Sequence, residues 1–253
     1  MAVGRTLAAW AWLVVGTLVW GTLVVLCAPV DSRGTLRWRW VRAWGIGLSF
    51  IMGLERLDVD GVERLSAARG TLLMMNHTSG IDIMAVIRAS DRPIAFLAKR
   101  GLFLVPFFGW YMSAARMVSI DRRNRERAVA SLDRAGDRLV GGETLLIFPE
   151  GTRSRAGGLL PFKKGGFIVA HQRGLPILPM VIAGARDIHQ VGFLVRGRGP
   201  VAMVVDQPID TARFEDVQSL MAFTRGRFAR CAGRAARRLE RMRGSPEPWK
   251  SSD

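Results

Sequence analysis

The chain has 253 residues, 49% of them hydrophobic, and its 37 basic and 21 acidic side chains give a formal net charge of +16. This length suits one sizeable core with a small appended element and leaves little room for two domains of ordinary size. Two cysteines far apart and three histidines without a Cys-x-x-Cys pair argue against a disulfide framework or a zinc site. The charge indicates anionic partners, either nucleic acid or anionic lipid.

The N-terminal region is apolar and rich in tryptophan. Residues 7–28 are dense in Leu, Val, Ala and Trp and are long enough to span a bilayer as a helix. A cleaved signal peptide is the alternative, although the apolar run is long and no small-x-small cleavage site follows it. Six tryptophans within the first 44 residues suit an interfacial aromatic belt. We therefore predict a membrane-associated N-terminal helical segment over residues 1–56, with the first helix retained.

Four arginines follow this apolar run and predict its orientation, namely Arg33, Arg37, Arg39 and Arg42. By the positive-inside rule they place the rest of the chain in the cytoplasm, so we expect a cytoplasmic-membrane protein whose larger part faces the cytoplasm. A second apolar stretch, residues 43–54, is too short to span comfortably. It is predicted to lie in the interface or to pack back against the first helix.

From about residue 57 short apolar runs alternate with helical patterns. Strands are predicted at residues 71–75, 93–98, 117–120, 145–148, 177–182 and 202–205, and helices at residues 81–89 and 125–140. This alternation predicts an α/β domain over residues 57–243, with a mixed, largely parallel sheet flanked by helices. Residues 214–243 read as a basic helix whose cationic face is either solvated or in contact with an anionic membrane. Residues 244–253 are predicted to form a flexible tail.

The first candidate for chemistry lies between a predicted strand and helix. Residues 72–83 run from an apolar strand through His77 and a Thr-Ser-Gly turn to Asp82 at the head of a helix. Residues five apart on a regular helix differ by about 140° in direction, so the two side chains meet only if His77 lies in the turn. Asp82 would then orient one imidazole nitrogen while the other faces substrate, as in a histidine base with its orienting acid. A strand end beside an ordinary helix start is the alternative.

Other polar clusters also follow predicted strands. Residues 150–153 bring a carboxylate, backbone amides and a guanidinium together, a set that can bind a phosphomonoester and a neighbouring hydroxyl. The apolar residues 101–110 suit a substrate with a fatty tail, or else a buried core helix. The candidate ligand residues are Lys99, Arg122, Glu150, Gly151, Thr152, Arg153 and Lys164.

Taken together, these clusters resemble the motifs of the glycerolipid acyltransferases of the bacterial lysophosphatidic acid acyltransferase family. The resemblance rests on Asn76-His77 with Asp82, on Ile120-Asp121-Arg122, on residues 148–154 and on residues 176–179, with further likeness at Lys99, residues 106–109 and residues 160–165. It covers about residues 60–185. One departure stands out, because the second motif commonly begins with glycine where this chain has Arg116. That departure puts the shape of the adjoining strand and of the acceptor pocket in question.

The resemblance implies transfer of a fatty acyl group from acyl-CoA or acyl-ACP, the acyl carrier protein thioester, to the free hydroxyl of 1-acyl-glycerol-3-phosphate. The product would be phosphatidic acid, an intermediate of phospholipid biosynthesis. His77 would take the hydroxyl proton, Asp82 would fix its tautomer, and Arg122 and Arg153 would contact the phosphate. No metal or bound cofactor is expected, because the thioester is already activated. The implied partners are a lysophospholipid acceptor, the acyl donor and a membrane, and no nucleic acid.

Two other functions remain open at this point. The first is the same chemistry on another acceptor, such as lyso-ornithine lipid, for which Arg116 is a possible signal. The second is a non-catalytic protein that binds a membrane surface or nucleic acid through its basic C-terminal helix. Deleting the residues after 214 would abolish binding in that second case, and His77→Ala would leave it intact.

Overall fold

The centre of the fold is a mixed sheet. A computed structural model describes residues 2–121, 124–189 and 194–244, apart from the side chain of residue 125. The described strands are β1 (Leu54–Asp60), β2 (Leu72–Met75), β3 (Ala95–Lys99), β4 (Val118–Ile120), β5 (Leu145–Ile147), β6 (Ile177–Ala183) and β7 (Gly199–Val205). Each of the six predicted strands has a counterpart among them, displaced by a few residues at its ends.

The strand order is β1-β7-β6-β2-β5-β3-β4, and each neighbouring pair is parallel except β6 with β7. The prediction of a mixed, largely parallel sheet is therefore confirmed. The carboxyl ends of β6, β2, β5, β3 and β4 consequently meet along one side of the sheet, which we call the carboxyl edge. Their amino ends meet on the opposite side, the amino edge. In sheets of this kind the crevice beyond the carboxyl ends is where ligands bind.

Helices cover both faces of the sheet. The described helices are α1 (Ala2–Ala11), α2 (Thr17–Cys27), α3 (Thr35–Ile51), α4 (Val62–Ala67), α5 (Ile81–Ala89), α6 (Phe108–Ala114), α7 (Arg125–Val140), α8 (Gly165–Gln172), α9 (Ala185–Ile188) and α10 (Val217–Gly244). Leu73 and Met75 face the core under α3 and α5, whereas Leu72 and Met74 face the core under α7, α8 and α10. Burial on both faces explains why β2 is continuously apolar rather than alternating.

The N-terminal helices form one apolar unit. A π-helical turn, Trp12–Gly16, joins α1 to α2, and the resulting 26-residue helix could cross a membrane by its length and composition. Helix α3 packs back on it, with Trp12 Nε1 donating to the Trp44 carbonyl at 3.0 Å and Trp20 stacked on Trp40. Most of the predicted apolar stretch 43–54 lies in α3, in the packed-back arrangement. The opposite side of α1 and α2 exposes Leu7, Val14, Leu18, Val25 and Leu26.

Strand β1 has no counterpart among the predicted strands, and it crosses the predicted boundary between residues 56 and 57. From Leu57 onward its sequence alternates apolar residues with charged ones, and Asp58 and Asp60 pair with arginines that lie far along the chain. Arg238 Nε donates to Asp58 at 2.7 Å, and Arg234 pairs with Asp60. The domain division itself stays a prediction.

Helix α10 packs along β6, β7 and α8. Three of its arginines, Arg227, Arg234 and Arg238, pair with aspartates that lie in β1 or directly after β7. Part of the cationic face is therefore used inside the fold, whereas Arg230 and Arg237 are exposed, and contact of the exposed part with an anionic membrane stays a prediction. The predicted flexible tail, except Gly244 at the end of α10, lies outside the described residues.

Candidate active site

The carboxyl edge brings the predicted site residues together. His77 lies in the loop after β2, and Asp82 stands in the first turn of α5. The turn that contains Glu150 follows β5, the direct neighbour of β2 in the sheet. Motifs that are separated by about seventy residues along the chain therefore meet because their strands are adjacent and parallel.

Asp82 holds the imidazole of His77 and the turn that carries it. Its Oδ2 accepts a hydrogen bond from His77 Nδ1 at 2.8 Å and from the backbone amides of Thr78 and Ser79 at 2.6 and 2.8 Å. The side chain is 0% exposed. Since an ionised carboxylate can only accept, Nδ1 carries the proton and Nε2 presents its lone pair. This geometry matches the predicted pairing of the two residues.

The ring of His77 is fixed on a second side by Phe148. The two rings stack with 3.7 Å between centroids and 14° between planes. His77 is 9% exposed, and no hydrogen bond engages its Nε2 within the described part of the chain. A buried imidazole in a single orientation with one free nitrogen is suited to take a proton from a positioned hydroxyl.

The turn after β5 holds the backbone of His77 through two hydrogen bonds. Glu150 Oε1 accepts from the His77 amide at 2.9 Å, and the Ser154 amide donates to the His77 carbonyl at 2.7 Å. The second oxygen of Glu150 accepts from the Leu160 amide at 2.8 Å. This carboxylate thus ties the histidine loop, its own turn and residues 159–160 into one unit.

The expected contact of Glu150 with the acceptor stays a prediction. Its side chain is 2% exposed, and each oxygen already accepts a backbone amide. Burial and the nearby charge of Asp82 raise its pKa, although the two amide hydrogen bonds and the neighbouring His77 work in the opposite direction. Gly151 has φ of 72°, where a Cβ would lie 3.2 Å from the Lys163 side chain, so a glycine suits the turn.

The predicted cations are spread along the carboxyl edge. Lys99 ends β3 and is exposed, and Lys164 is exposed at the start of α8. Arg153 is half-buried, next to the Ser154 amide that binds His77, and Thr152 is exposed. Arg122, the other expected phosphate contact, lies outside the described residues.

Arg116, which suggested a different acceptor, lies away from this site. It precedes β4 and therefore sits at the amino edge, where its guanidinium pairs with Glu143 just before β5. Its φ of 61° lies in the left-handed region that glycine adopts freely. The chain thus keeps a backbone that suits a glycine, and Arg116 lies at the edge of the sheet opposite His77.

Asn76 and Ser79 support the histidine loop through partners that were not predicted from the sequence. Asn76 exchanges two hydrogen bonds with the backbone of Ile182 in β6 and so anchors the start of the histidine loop. Ser79 donates to the His189 carbonyl at 2.6 Å and accepts from the Ile81 amide, which holds the start of α5. His189 lies within 4 Å of the position that a Cβ on Gly80 would occupy. These partners lie far along the chain, so no local pattern identifies them.

Within the described residues, no group of three or more His, Cys, Asp or Glu side chains is arranged to hold a metal ion.

Comparison with known proteins agrees with this arrangement. Residues 56–183, about half of the chain, match the acyltransferase family. A 1-acyl-sn-glycerol-3-phosphate acyltransferase from Saccharomyces cerevisiae is 31% identical over 190 residues, which are 74% of this chain and 62% of the yeast protein. The protein of the same name from Pseudomonas aeruginosa is 33% identical over 70% of this chain and 69% of its own length. The chain therefore spans less than two thirds of the yeast relative.

A solved structure shares the fold. The crystal structure of the 1-acyl-sn-glycerophosphate acyltransferase from Thermotoga maritima superposes with a TM-score of 0.79 and covers 97% of this chain and 98% of its own. The two sequences are 24% identical. This likeness concerns the fold, including the N-terminal helices that lie outside the matched family region.

Proposed function

This chain belongs to the acyltransferase family, and we propose that it transfers a fatty acyl group from acyl-CoA or acyl-ACP to the free hydroxyl of 1-acyl-glycerol-3-phosphate, forming phosphatidic acid. The observation that carries the proposal is the buried His77 with Nδ1 held by Asp82 and a free Nε2. The names of the yeast and Pseudomonas relatives support this acceptor. The reaction would serve phospholipid biosynthesis.

In the proposed reaction His77 Nε2 takes the proton of the acceptor hydroxyl as its oxygen attacks the thioester carbonyl carbon. The carbon–sulfur bond then breaks, and the thiolate leaves with the proton that the imidazolium returns. Asp82 keeps Nδ1 protonated and stabilises the imidazolium as it forms. The products are an ester and a free thiol, and no covalent enzyme intermediate forms.

The cations of the carboxyl edge are proposed to bind the acceptor phosphate. Arg153 is the first choice among the described residues, because the amide of its neighbour Ser154 donates a hydrogen bond to the His77 carbonyl. Arg122 is proposed for the same role from its motif. Lys99, Thr152 and Lys164 are proposed as further contacts, and Glu150 and Gly151 are proposed to shape the turn rather than to touch the lipid.

We also propose that the protein works at a membrane surface. Its acceptor and product are lipids, and the apolar helix from α1 to α2 exposes large side chains along one side. The net charge of +16 would attract anionic headgroups and an acidic donor. The cytoplasmic membrane, with the larger domain facing the cytoplasm, is the proposed location.

The test is acyl transfer by the purified protein from CoA and ACP thioesters to a panel of acceptors that includes lysophosphatidic acid and lyso-ornithine lipid. We expect product on lysophosphatidic acid, lost in His77→Ala. His171→Ala is the matched control, since that histidine lies on α8 and binds the Phe214 carbonyl.

Each outcome separates the candidate functions. Product only on another lysolipid would keep the mechanism and change the acceptor. Equal turnover by wild type and His77→Ala would remove the histidine from its role as base. No product on any acceptor with either donor would favour a binding protein.

A further inference from the structure

A cavity of about 680 Å³ opens at the amino edge of the sheet, the side opposite His77. The link between α2 and α3, the starts of β3 and β5, and the turn after α7 form the walls of this amino-edge cavity. It takes no part in the proposed acyl transfer. Its charged lining consists of Arg33, Arg37, Arg69, Arg92 and Arg116 with Asp91 and Glu143.

Two of these arginines are held by the fold. Arg37 is buried, pairs with Asp31 at 3.3 Å and donates to the Ala114 carbonyl at 2.7 Å. Arg116 pairs with Glu143, which also binds Arg138 at 2.6 Å. Both pairs lie in the wall of the amino-edge cavity. The other arginines of the lining are Arg33, Arg69 and Arg92.

Arg33 and Arg69 are exposed at the mouth of the amino-edge cavity, and neither guanidinium has an ion pair or hydrogen bond among the residues that the structure describes. Arg92 donates to the Ser66 carbonyl at 3.0 Å, which leaves its charge without a carboxylate partner in the same part of the chain. Asp91 is the carboxylate of the lining that no described arginine pairs with. The amino-edge cavity therefore carries excess positive charge.

The amino end of α3 already has a carboxylate partner within the chain. Residues 32–35 line the amino-edge cavity, and Asp31 Oδ2 accepts a hydrogen bond from the Arg37 amide in the first turn of the helix at 2.7 Å. A carboxylate at this position is favoured by the helix dipole. The excess positive charge of the cavity therefore comes from its arginine side chains.

We propose that the amino-edge cavity binds a phosphate-bearing anion through Arg33 and Arg69. Guanidinium groups bind phosphate oxygens bidentately, and unpaired ones do so without breaking an existing ion pair. The phosphate has two possible sources. One is the headgroup of an anionic phospholipid, since the apolar helix α2 ends just before the cavity. The other is a soluble phosphate compound.

Hydrogen–deuterium exchange of the full-length protein in detergent micelles tests the site without any turnover. The probes are inorganic phosphate, dioctanoyl phosphatidic acid, and dioctanoyl phosphatidylcholine as the zwitterionic control. We expect slower exchange in peptides covering residues 32–37 and 141–144. The double variant Arg33→Gln with Arg69→Gln should weaken this binding at least tenfold. Arg39→Gln, an exposed arginine of α3 outside the lining, should not.

The probes also identify the source of the phosphate. Protection by phosphatidic acid alone would assign the site to a lipid headgroup, and protection by inorganic phosphate would assign it to a soluble compound. Asp91→Asn removes a negative charge from the lining and should tighten binding, which keeps the proposal testable if the double variant fails to fold. Protection by neither anion, equal protection by phosphatidylcholine, or protection that the double variant keeps would overturn the proposal.

Discussion

Two pairs of charged residues at opposite edges of the sheet differ in burial and in their partners. At the carboxyl edge Asp82 and Glu150 are almost fully buried, and their oxygens accept hydrogen bonds from the histidine loop. At the amino edge Arg33 and Arg69 are exposed and lack partners within the described residues. Buried carboxylates with fixed partners hold one geometry, as catalysis requires. Unpaired surface cations are not held in one orientation by a partner, so they are available to bind a ligand.

The burial and the partners of a charged side chain predict whether its substitution affects activity or stability. Changes to the buried carboxylates should reduce turnover strongly, because they release the histidine loop. Changes to the ion pairs between α10 and the sheet should reduce stability and leave the chemistry intact.

The largest effect is expected for Asp82→Asn. An amide offers one acceptor in place of the oxygens that hold His77 and the amides of Thr78 and Ser79, and it no longer fixes the tautomer. We expect kcat to fall by about 10³- to 10⁴-fold. Steady-state kinetics beside Asp210→Asn, an exposed aspartate, provides the measurement and its control. A fall of less than tenfold would contradict the role of Asp82.

Glu150→Gln should have the next largest effect. Its amide can accept from the His77 or the Leu160 backbone but presents a donor to the other one. We expect kcat to fall about 10- to 100-fold and the free energy of unfolding to fall by about 1–3 kcal/mol. The acceptor KM should change little, because the carboxylate is buried and its two oxygens accept backbone amides. A rise in acceptor KM at constant kcat would instead support the direct contact expected from the sequence.

Arg153→Ala should act on the acceptor rather than on the donor. Loss of a charge-assisted phosphate contact costs about 1.5–3 kcal/mol, so the apparent acceptor KM should rise at least about tenfold. Kinetics with each substrate varied in turn separates the two effects. Arg155→Ala, an exposed arginine two residues away, is the matched control. Equal changes in the donor and acceptor constants would remove Arg153 from the phosphate site.

Asp206→Asn should lower stability in a pH-dependent way. Burial opposes ionisation of Asp206, but hydrogen bonds from Arg227 and the Gln207 amide outweigh it and lower its pKa below 3.8. Ionised Asp206 therefore contributes stability above its unfolded pKa, and this contribution disappears as the pH falls through the folded pKa. Denaturant unfolding should show a difference of about 1–3 kcal/mol at pH 7 that narrows in acid. A difference independent of pH would contradict this assignment.

The smallest effect is expected for Arg238→Gln. Its pair with Asp58 is partly exposed, so its loss should lower the free energy of unfolding by about 1 kcal/mol or less. Acyl transfer should remain at the wild-type level. Arg237→Gln, an exposed neighbour on α10, removes the same charge and should change neither quantity. A large loss of membrane binding in both variants would revive the reading of α10 as a membrane-binding face.

Much of the fold and the central pair of the site could be predicted from local sequence. Six strands and the bounds of α5 and α7 follow from apolar runs and helical spacing, which act over a few residues. The five-residue spacing from His77 to Asp82 likewise excludes a shared helix face and requires a turn. The observed hydrogen bond between them has that geometry.

Features that depend on distant partners could not be predicted in this way. β1 was missed because its aspartates pair with α10, as Asp58 does with Arg238, 180 residues further along the chain. The sequence suggested Glu150 as a contact of the acceptor. Its hydrogen bond with the His77 amide could not be predicted, because it exists only once β2 and β5 are neighbours. The position of Arg116 at the amino edge, where it pairs with Glu143, likewise follows only from the order of the strands.

The sequence by itself determined the α/β class, the family resemblance and the pairing of His77 with Asp82, because these depend on local pattern and spacing. Only the tertiary structure decided how the carboxylates are satisfied, where the arginines of α10 bind, and that a cationic cavity lies behind the site. Those outcomes depend on which strands become neighbours, and a buried or paired charge is settled by groups that the chain brings together only on folding.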